Sequence, residues 1–131
     1  REIVMISRDT NSGTYETFEE KVMDGEEMSK DVTYVNSNGA ARDRVQRTQS
    51  AIAYVGIGFV DDTVKALEIE GILPDLDTVK SGAYPIARPL YMFTDGSPAM
   101  GTHVYRFVNL YLTEDGQDMV EGEEFVPVTN Y

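Results

Sequence analysis

Two hydrophobic periods alternate along the chain, and they predict an order of strands and helices. Short apolar runs bounded by turn residues are typical of buried strands, and apolar residues recurring every three or four positions are typical of helices. The predicted strands are residues 3–6, 32–35, 51–55, 64–69 and 90–93. The predicted helices are residues 15–23, 40–49, 104–112 and 114–121, with a single turn at 76–80 and an extended tail at 125–128. This alternation indicates an α/β fold with helices on the faces of a sheet.

The junction between the first strand and the first helix holds the strongest candidate site. Residues 7–14 read SRDTNSGT. A helix start presents N–H groups that lack intrahelical partners, and the helix dipole adds roughly half a positive charge there. Gly13 allows close approach of the backbone, Ser12 and Thr14 supply hydroxyls, and Arg8 supplies a forked pair of donors. These residues predict a pocket for phosphate or a similar oxyanion.

The same residues also permit a simpler interpretation. Ser12 or Thr14 could act only as an N-cap that satisfies one orphan donor of the helix. The loop is not a Walker A loop, because it lacks the Gly-Lys pair. Local sequence alone leaves both interpretations open.

Composition and charge narrow the class of protein. The 131 residues, 41% hydrophobic and 26% charged, fit one globular domain, and no run approaches the roughly 20 apolar residues of a membrane span. A net charge of −12 disfavours binding to nucleic acid or to an anionic membrane surface. The absence of cysteine excludes disulfides and thiolate zinc sites. The chain begins with Arg1 and has no signal-like region, so we expect a processed or cut chain without its targeting segment.

No constellation in the sequence predicts catalysis, a metal site or a cofactor. Gly56 and Gly58 form a lone GxG that predicts a turn, since no third glycine opens a helix after it. His103 is the only histidine, and it is expected at the surface where a helix starts. The acidic stretches lack EF-hand spacing. With no pair of nucleophile and base, the sequence favours binding over enzymatic activity.

Several segments together resemble periplasmic phosphate-binding proteins of phosphate ABC transporters. The SRDTNSGTYETF stretch resembles that family's Arg-before-Ser-Gly-Thr loop with an aromatic in the following helix. The other matching segments follow in the family's order: SNG at 37–39 with Val45, AIAYV at 51–55, GAYPIARPLY at 82–91, the 107–117 segment ending in LTEDGQ, and FVPV at 125–128. The resemblance covers nearly the whole chain, and YPIARPLY is its most specific motif.

The resemblance implies a type 2 periplasmic-binding-protein lobe with a mixed sheet and helices on both faces. It assigns residues 1–94 to the second ligand-binding lobe with a return crossing, and residues 95–131 to C-terminal helices and a tail that pack on the first lobe. It places phosphate contacts at Arg8, Ser12, Gly13 and Thr14. Two positions depart from the family: Thr10 stands where an acid often holds the arginine, and Asn11 stands where glycine is usual.

The function implied is capture of inorganic phosphate for an ABC importer, without catalysis and without a cofactor. The implied partner is the permease, on the periplasmic or extracellular face of the membrane. Membrane contact is expected only through that permease or a lipid anchor outside this chain. Loss of the first lobe would expose apolar surface, so either repacking of that surface onto the remaining sheet or self-association is also expected. The alternative is a sensing or scaffolding domain of the same fold with a vestigial anion site.

Overall fold

A computed structural model describes residues 2–128 of the chain. Within these residues the strands are β1 (Val4–Arg8), β2 (Thr33–Val35) and β3 (Ala51–Ala53). The helices are α1 (Gly13–Lys21), α2 (Asn38–Arg47), α3 (Leu76–Lys80), α4 (His103–Leu110) and α5 (Glu114–Gly122), with a 3-10 turn at Ile57–Phe59. Each predicted helix is therefore present, as are the first three predicted strands, with ends shifted by at most two residues. No helix among the described residues is long and apolar enough to cross a membrane.

The three strands form a parallel sheet in the order β2-β1-β3. Ile6 lies opposite Thr33 on one side and Ala53 on the other, so β1 is the central strand. Parallel neighbours need a crossover connection, and α1 and α2 supply the two crossovers. The α/β class is confirmed. The expectation of a mixed sheet is corrected, because all strand pairs formed by residues 2–128 run parallel.

The helix boundaries follow from local capping chemistry. Ser12 caps α1 and Ser37 caps α2, each by accepting from backbone N–H groups of the first turn. After α1, Asp24 and Gly25 adopt positive φ angles of 51° and 78°. Such left-handed residues stop a helix, and glycine adopts the conformation without steric cost. The helix itself ends at Lys21 with Val22 as its C-cap, two residues earlier than predicted, and the two left-handed residues follow.

The buried core lies where α1 and α2 meet the sheet. Ile6 on β1 is 4% exposed and Ala41 on α2 is 1% exposed, and Tyr15 on α1 is also buried. Phe18 on α1 stacks on Tyr54, which directly follows β3, with 4.1 Å between ring centroids. This stack joins the first helix to the third strand, which lies beside the central one. The core therefore fixes where α1 starts relative to the ends of the strands.

Two predicted strands, at residues 64–69 and 90–93, are wrong. In the first segment only Ile69 pairs, in an isolated bridge with Ile72. In the second, Leu90 is 64% exposed and Phe93 is 91% exposed, and no strand forms. A strand needs a neighbour for its backbone hydrogen bonds, and neither segment finds one within residues 2–128. Their absence also removes the strands that could have made the sheet mixed.

The C-terminal helices join through one tight contact. Gly116 and Gln117 at the start of α5 are buried against the end of α4. A methyl group at Gly116 would lie 2.6 Å from the carbonyl carbon of Leu110 and 2.7 Å from Cα of Tyr111. The Gln117 side chain donates to the Tyr111 carbonyl and accepts from Val128 N–H at 2.7 Å. The tail from 125 to 128 is thus tied to α5 rather than to the sheet.

Candidate anion-binding site

The candidate site lies at the carboxyl ends of the parallel strands. β1 ends at Arg8, Asn36 follows β2, and Tyr54 follows β3. Because parallel strands end at one edge of a sheet, residues from three separate sequence segments meet there. Ligands of open α/β sheets bind at this edge, at the point where the connections diverge to opposite sides of a central strand. In this fold β1 is that central strand.

The loop between β1 and α1 is held in shape by Asp9. Its N–H donates to the Val35 carbonyl at 3.0 Å, which ties the loop to the end of β2. Its side chain accepts from Asn11 N–H at 3.0 Å, and its carbonyl accepts from Ser12 N–H at 3.1 Å. The carboxylate is therefore engaged within the loop itself. This turn accommodates Asn11 in place of the family's usual glycine.

Ser12 is buried, at 7% exposure, and its hydroxyl is committed as an acceptor. Its oxygen accepts from Thr14 N–H at 3.2 Å and from Tyr15 N–H at 3.4 Å. A hydroxyl has two acceptor lone pairs and one proton. With both lone pairs used, the Ser12 hydroxyl can only donate to a further group. The N-cap interpretation and the anion-site interpretation are therefore compatible.

Gly13 and Thr14 form the first turn of α1. Among the described residues no acceptor is found for the Gly13 N–H, whereas the Thr14 N–H donates to Ser12. The Gly13 carbonyl accepts from the Thr17 hydroxyl at 2.9 Å. One free backbone donor thus stands at the positive end of the helix dipole. A ligand contact with the Thr14 N–H would share that hydrogen with Ser12.

Arg8 reaches this edge with two of its three nitrogens already bonded. Its Nη1 donates to Oδ1 of Asn38 at 2.8 Å, and its Nη2 donates to the Asn36 carbonyl at 3.4 Å. Its Nε is buried and has no hydrogen-bond partner within residues 2–128. Buried charged donors are expensive to leave unsatisfied. The guanidinium is therefore held in place with hydrogen-bonding capacity left over.

Asn38 is a candidate site residue that the sequence did not predict. It takes the positioning part that an acid two residues after the arginine would play, since Thr10 at that place is exposed. Its Oδ1 also accepts from Gly56 N–H at 3.4 Å, so one side chain joins β1 to the segment after β3. Because Asn38 is neutral, it orients Arg8 without cancelling its charge. The SNG motif after the second strand was the available signal.

Tyr54 forms a hydrogen bond with the backbone of Arg8. Its hydroxyl lies 2.5 Å from the Ser7 hydroxyl and accepts from Arg8 N–H at 3.3 Å. Its ring is the one stacked on Phe18. The same tyrosine thus fixes the backbone of Arg8 and the position of α1. Burial raises the pKa of the nearby Tyr15 hydroxyl, which donates to Glu19 at 3.1 Å.

The remaining sequence candidates lie elsewhere. His103 is exposed at the start of α4, as predicted, and Arg42 pairs with Asp43 and Asp61. Gly56 and Gly58 flank the 3-10 turn and open no α-helix. No three His, Asp or Glu side chains of the described residues stand close enough together to hold a metal ion. A shallow depression beside Arg8 is lined by Asp9, Tyr34, Val35, Asn36, Ala40 and Arg44.

The arrangement at Ser12, Gly13 and Arg8 offers donors. A hydroxyl that can only donate, a free backbone N–H and a guanidinium with an open Nε belong to the same strand-loop-helix unit. A set of donors calls for a ligand that only accepts. An oxyanion has this property, and charge-assisted hydrogen bonds to it are the stronger kind.

Comparisons with known proteins agree with this geometry. Residues 1–114 match the family described as PBP superfamily domain. The chain is 33% identical to the phosphate-binding protein PstS 2 of Streptococcus agalactiae, covering 98% of this chain and 46% of that protein. It is 32% identical to the phosphate-binding protein PstS of Bacillus subtilis, covering 99% and 43%. The chain therefore spans about half the length of the curated relatives it matches.

Solved structures give the same result for the fold. A phosphate ABC transporter substrate-binding protein from Clostridium perfringens, solved with bound phosphate, superposes with a TM-score of 0.83 at 29% identity. It covers 97% of this chain, which in turn covers 52% of it. A phosphate-binding protein of a Streptococcus pneumoniae phosphate ABC transporter superposes with a TM-score of 0.80 at 28% identity, covering 98% and 52%. On the match of residues 1–114, this chain belongs to the PBP superfamily domain family.

Proposed function

We propose that this chain binds inorganic phosphate at Arg8, Ser12, Gly13 and Thr14, as part of a solute-binding protein that serves an ABC importer. The observation that carries the proposal is the donor-only character of the site. Ser12 has both lone pairs occupied, and the buried Nε of Arg8 lacks an acceptor within residues 2–128. Relatives over nearly the whole chain are phosphate-binding proteins, which supports phosphate as the oxyanion.

The test is a phosphate titration of the 131-residue chain followed by NMR. NMR suits the weak binding expected of a site that supplies only part of a closed pocket. We expect saturable shifts of the Gly13 and Thr14 amides and of the Arg8 Nε–H with phosphate. Chloride at equal ionic strength should produce none of them. A phosphate response no different from that of chloride would contradict the proposal.

Matched variants separate a working site from a vestigial one. Arg8→Gln removes the charge and the open Nε, and should abolish the response. Ser12→Ala removes one donor and also the helix cap, which costs about 1 kcal/mol of stability. Asn11→Ala leaves the Asp9 turn intact, since Asn11 contributes its backbone N–H. We expect phosphate shifts in Asn11→Ala and none in Arg8→Gln. Equal shifts in both would indicate nonspecific ionic contact.

The proposed role is binding without catalysis. The hydroxyl of Ser12 is held by two N–H donors, which stabilise it as an acceptor rather than activate it as a nucleophile. General-base catalysis would require an acceptor within hydrogen-bond reach of that hydroxyl. Hydrolysis of a generic phosphoester by the chain, lost in Arg8→Ala, would overturn this part of the proposal.

A second lobe completes the proposed protein. In this proposal residues 1–94 form one ligand-binding lobe with its return crossing, and residues 95–131 pack on the other lobe. Residues 129–131 lie outside the described residues. Support comes from α4, where Val104 is 55% exposed and Phe107 is 66% exposed. Exposed apolar surface of this kind marks an interaction site. The proposed partner is the permease, at the periplasmic or extracellular face of the membrane.

Sedimentation velocity of the chain tests this assignment. Without a covering lobe, we expect concentration-dependent self-association through the α4 surface. Phe107→Asp should reduce it, and Glu114→Gln, which changes an exposed charge at the start of α5, should not. A monomer at high concentration, with freely exchanging amides in residues 104–112, would contradict the assignment.

A further inference from the structure

Arg88 lies against the first residue of α1. A methyl group built on Gly13 would stand 3.0 Å from Cζ of Arg88 and 3.2 Å from its Nη1, with Nη2 closer still. The guanidinium therefore occupies the space that a side chain at residue 13 would need. The absence of a Cβ at Gly13 is what lets this contact form. An arginine far along the chain thus reaches the loop of the candidate anion site.

The segment that carries Arg88 is constrained at both ends. Its start is anchored to α3, because Tyr84 N–H donates to the Thr78 carbonyl at 2.9 Å. Its end is Pro89, which restricts Arg88 to extended backbone conformations. Pro85 fixes a further φ angle within the segment. The guanidinium is therefore delivered to α1 by a segment with few conformations, not by a loose loop.

The helix dipole disfavours a cation at the exposed position of Arg88, and a bound anion would offset this effect. Cations are stabilised near helix C-termini, where Lys21 lies in α1, and are disfavoured at N-termini. Arg88 stands at the N-terminus of α1, and none of the described residues forms a salt bridge or hydrogen bond with its guanidinium. Arg42, by contrast, pairs with two carboxylates. Arg8, the other arginine of this unit, keeps an open, buried Nε.

We propose that Arg88 is a second arginine of the anion site and donates hydrogen bonds to the same oxyanion as Arg8 and Ser12. The inference rests on the proposed phosphate function and adds a residue to it. Two guanidinium groups and the helix N-terminus together match a doubly charged oxyanion. A guanidinium presents a rigid fork of donors suited to two anion oxygens, which a lysine at this place could not reproduce.

The test compares phosphate affinity in the unmodified chain, Arg8→Gln, Arg88→Gln and Arg106→Gln. Arg106 is an exposed arginine on α4, so its replacement removes the same charge outside the site. We expect Arg88→Gln to weaken phosphate binding about ten- to hundredfold, the usual effect of a charge-assisted hydrogen bond. Arg106→Gln should bind phosphate as the unmodified chain does.

Thermal stability without phosphate gives the readout that a purely structural role would move. If the Arg88 guanidinium only holds the 84–89 segment against α1, its removal costs stability. Arg88→Gln would then lower the Tm and leave the phosphate affinity unchanged. A ligand-binding guanidinium repelled by the helix N-terminus predicts the reverse: an unchanged or raised Tm and a weakened affinity. The first pattern overturns the inference and the second supports it.

Gly13→Ala supplies an independent variant, because its methyl group would displace the Arg88 guanidinium. If both residues serve one ligand contact, the double variant with Arg88→Gln should bind about as weakly as the weaker single variant. Fully additive losses would contradict a shared contact.

Phosphate binding that is lost in Arg8→Gln but retained in Arg88→Gln would overturn this inference alone. No binding by the unmodified chain would overturn the proposed function and this inference with it.

Discussion

Residues 2–60 and residues 61–128 are built in different ways. The first region holds the sheet, α1 and α2, and its core side chains Ile6, Tyr15 and Ala41 are buried. The second region has helices α3, α4 and α5 and long connections, and many of its large apolar side chains are exposed; Phe93 is 91% and Met100 85% exposed. The first region therefore has a buried core of its own, whereas the most exposed large apolar side chains of residues 2–128 lie in the second region.

The position of the candidate site follows from this difference. Arg8, Ser12 and Asn38 all belong to the self-packed region, where strands, helix starts and the Tyr54 stack fix their relative positions. The second region contributes Arg88 through a constrained segment. A site that must hold an anion by several hydrogen bonds benefits from rigid support. The second region leaves more of its large apolar side chains exposed within residues 2–128.

Truncating one apolar side chain in each region tests the contrast most strongly. Ile6 is 4% exposed and Leu90 is 64% exposed, and replacement of either by alanine removes the same number of atoms. We expect Ile6→Ala to lower the free energy of unfolding by about 2–5 kcal/mol, because it leaves a cavity in the core. Leu90→Ala should change it by less than about 0.5 kcal/mol. Urea denaturation of the two variants measures both values.

Equal losses in these two variants would break the comparison. They would show that residues around Leu90 are buried in solution, for example in a dimer. Repeating the Leu90→Ala measurement at several protein concentrations separates burial within one chain from burial in a dimer. A cost that rises with concentration would place Leu90 in an interface between copies of the chain.

In the second region α4 and α5 pack tightly against each other at Gly116, and a glycine pair in α5 tests this contact. Gly116→Ala would put a methyl group 2.6 Å from the Leu110 carbonyl carbon, which forces the end of α4 to move. We expect a loss of about 1–3 kcal/mol, typical of overpacking. Gly122 is in the same helix and has nothing within 4 Å of that position. Gly122→Ala should be neutral or stabilising, since alanine is the better helix former.

Hydrogen exchange shows where the Gly116 effect is felt. Faster exchange confined to α4, α5 and the Val128 amide would mean that the helix pair opens as a unit separate from the sheet. Faster exchange throughout residues 2–60 as well would show that the two regions unfold together. In the second case the two regions would differ in the apolar surface they expose but not in their stability.

The sequence predicted the self-packed region better than the other one, for a physical reason. Strand β1 and helices α1 and α2 each bury at least one side chain, and Ser12 and Ser37 cap the two helices, so the signals for these elements are local. The alternation at 64–69 and the apolar run at 90–93 predicted strands that need a partner strand, which local pattern does not reveal. Asn38 and Arg88 escaped the site prediction because their contacts join segments distant in sequence.

Asn38→Ala tests how far the site depends on contacts between elements. The variant removes the acceptor of Arg8 Nη1 and of Gly56 N–H. We expect a loss of about 1 kcal/mol in stability and weaker phosphate binding, because Arg8 is no longer oriented. Asn36→Ala is the control, since Asn36 contacts Arg8 through its backbone carbonyl. Calorimetric titration that finds equal phosphate affinities in the two variants would remove Asn38 from the site.

The smallest expected change in stability comes from the salt bridge between Arg42 on α2 and Asp61 at the start of the second region. It is exposed, and Nη1 of Arg42 lies 3.0 Å from Oδ2 of Asp61. Hydrogen bonds from Thr63, and then the charge of Arg42, lower the pKa of Asp61 below its ordinary value. A lowered folded-state pKa stabilises the fold above the ordinary aspartate pKa, near 3.9, and this contribution disappears as the pH falls through the folded-state value. Asp61→Asn should therefore lower the Tm slightly at pH 7, and the deficit should shrink on acidification.

Asp62→Asn, which removes a neighbouring exposed charge, is the control. A deficit that does not change with pH would show that the ionised form of Asp61 does not carry the effect, leaving the two regions without an electrostatic contact at this position.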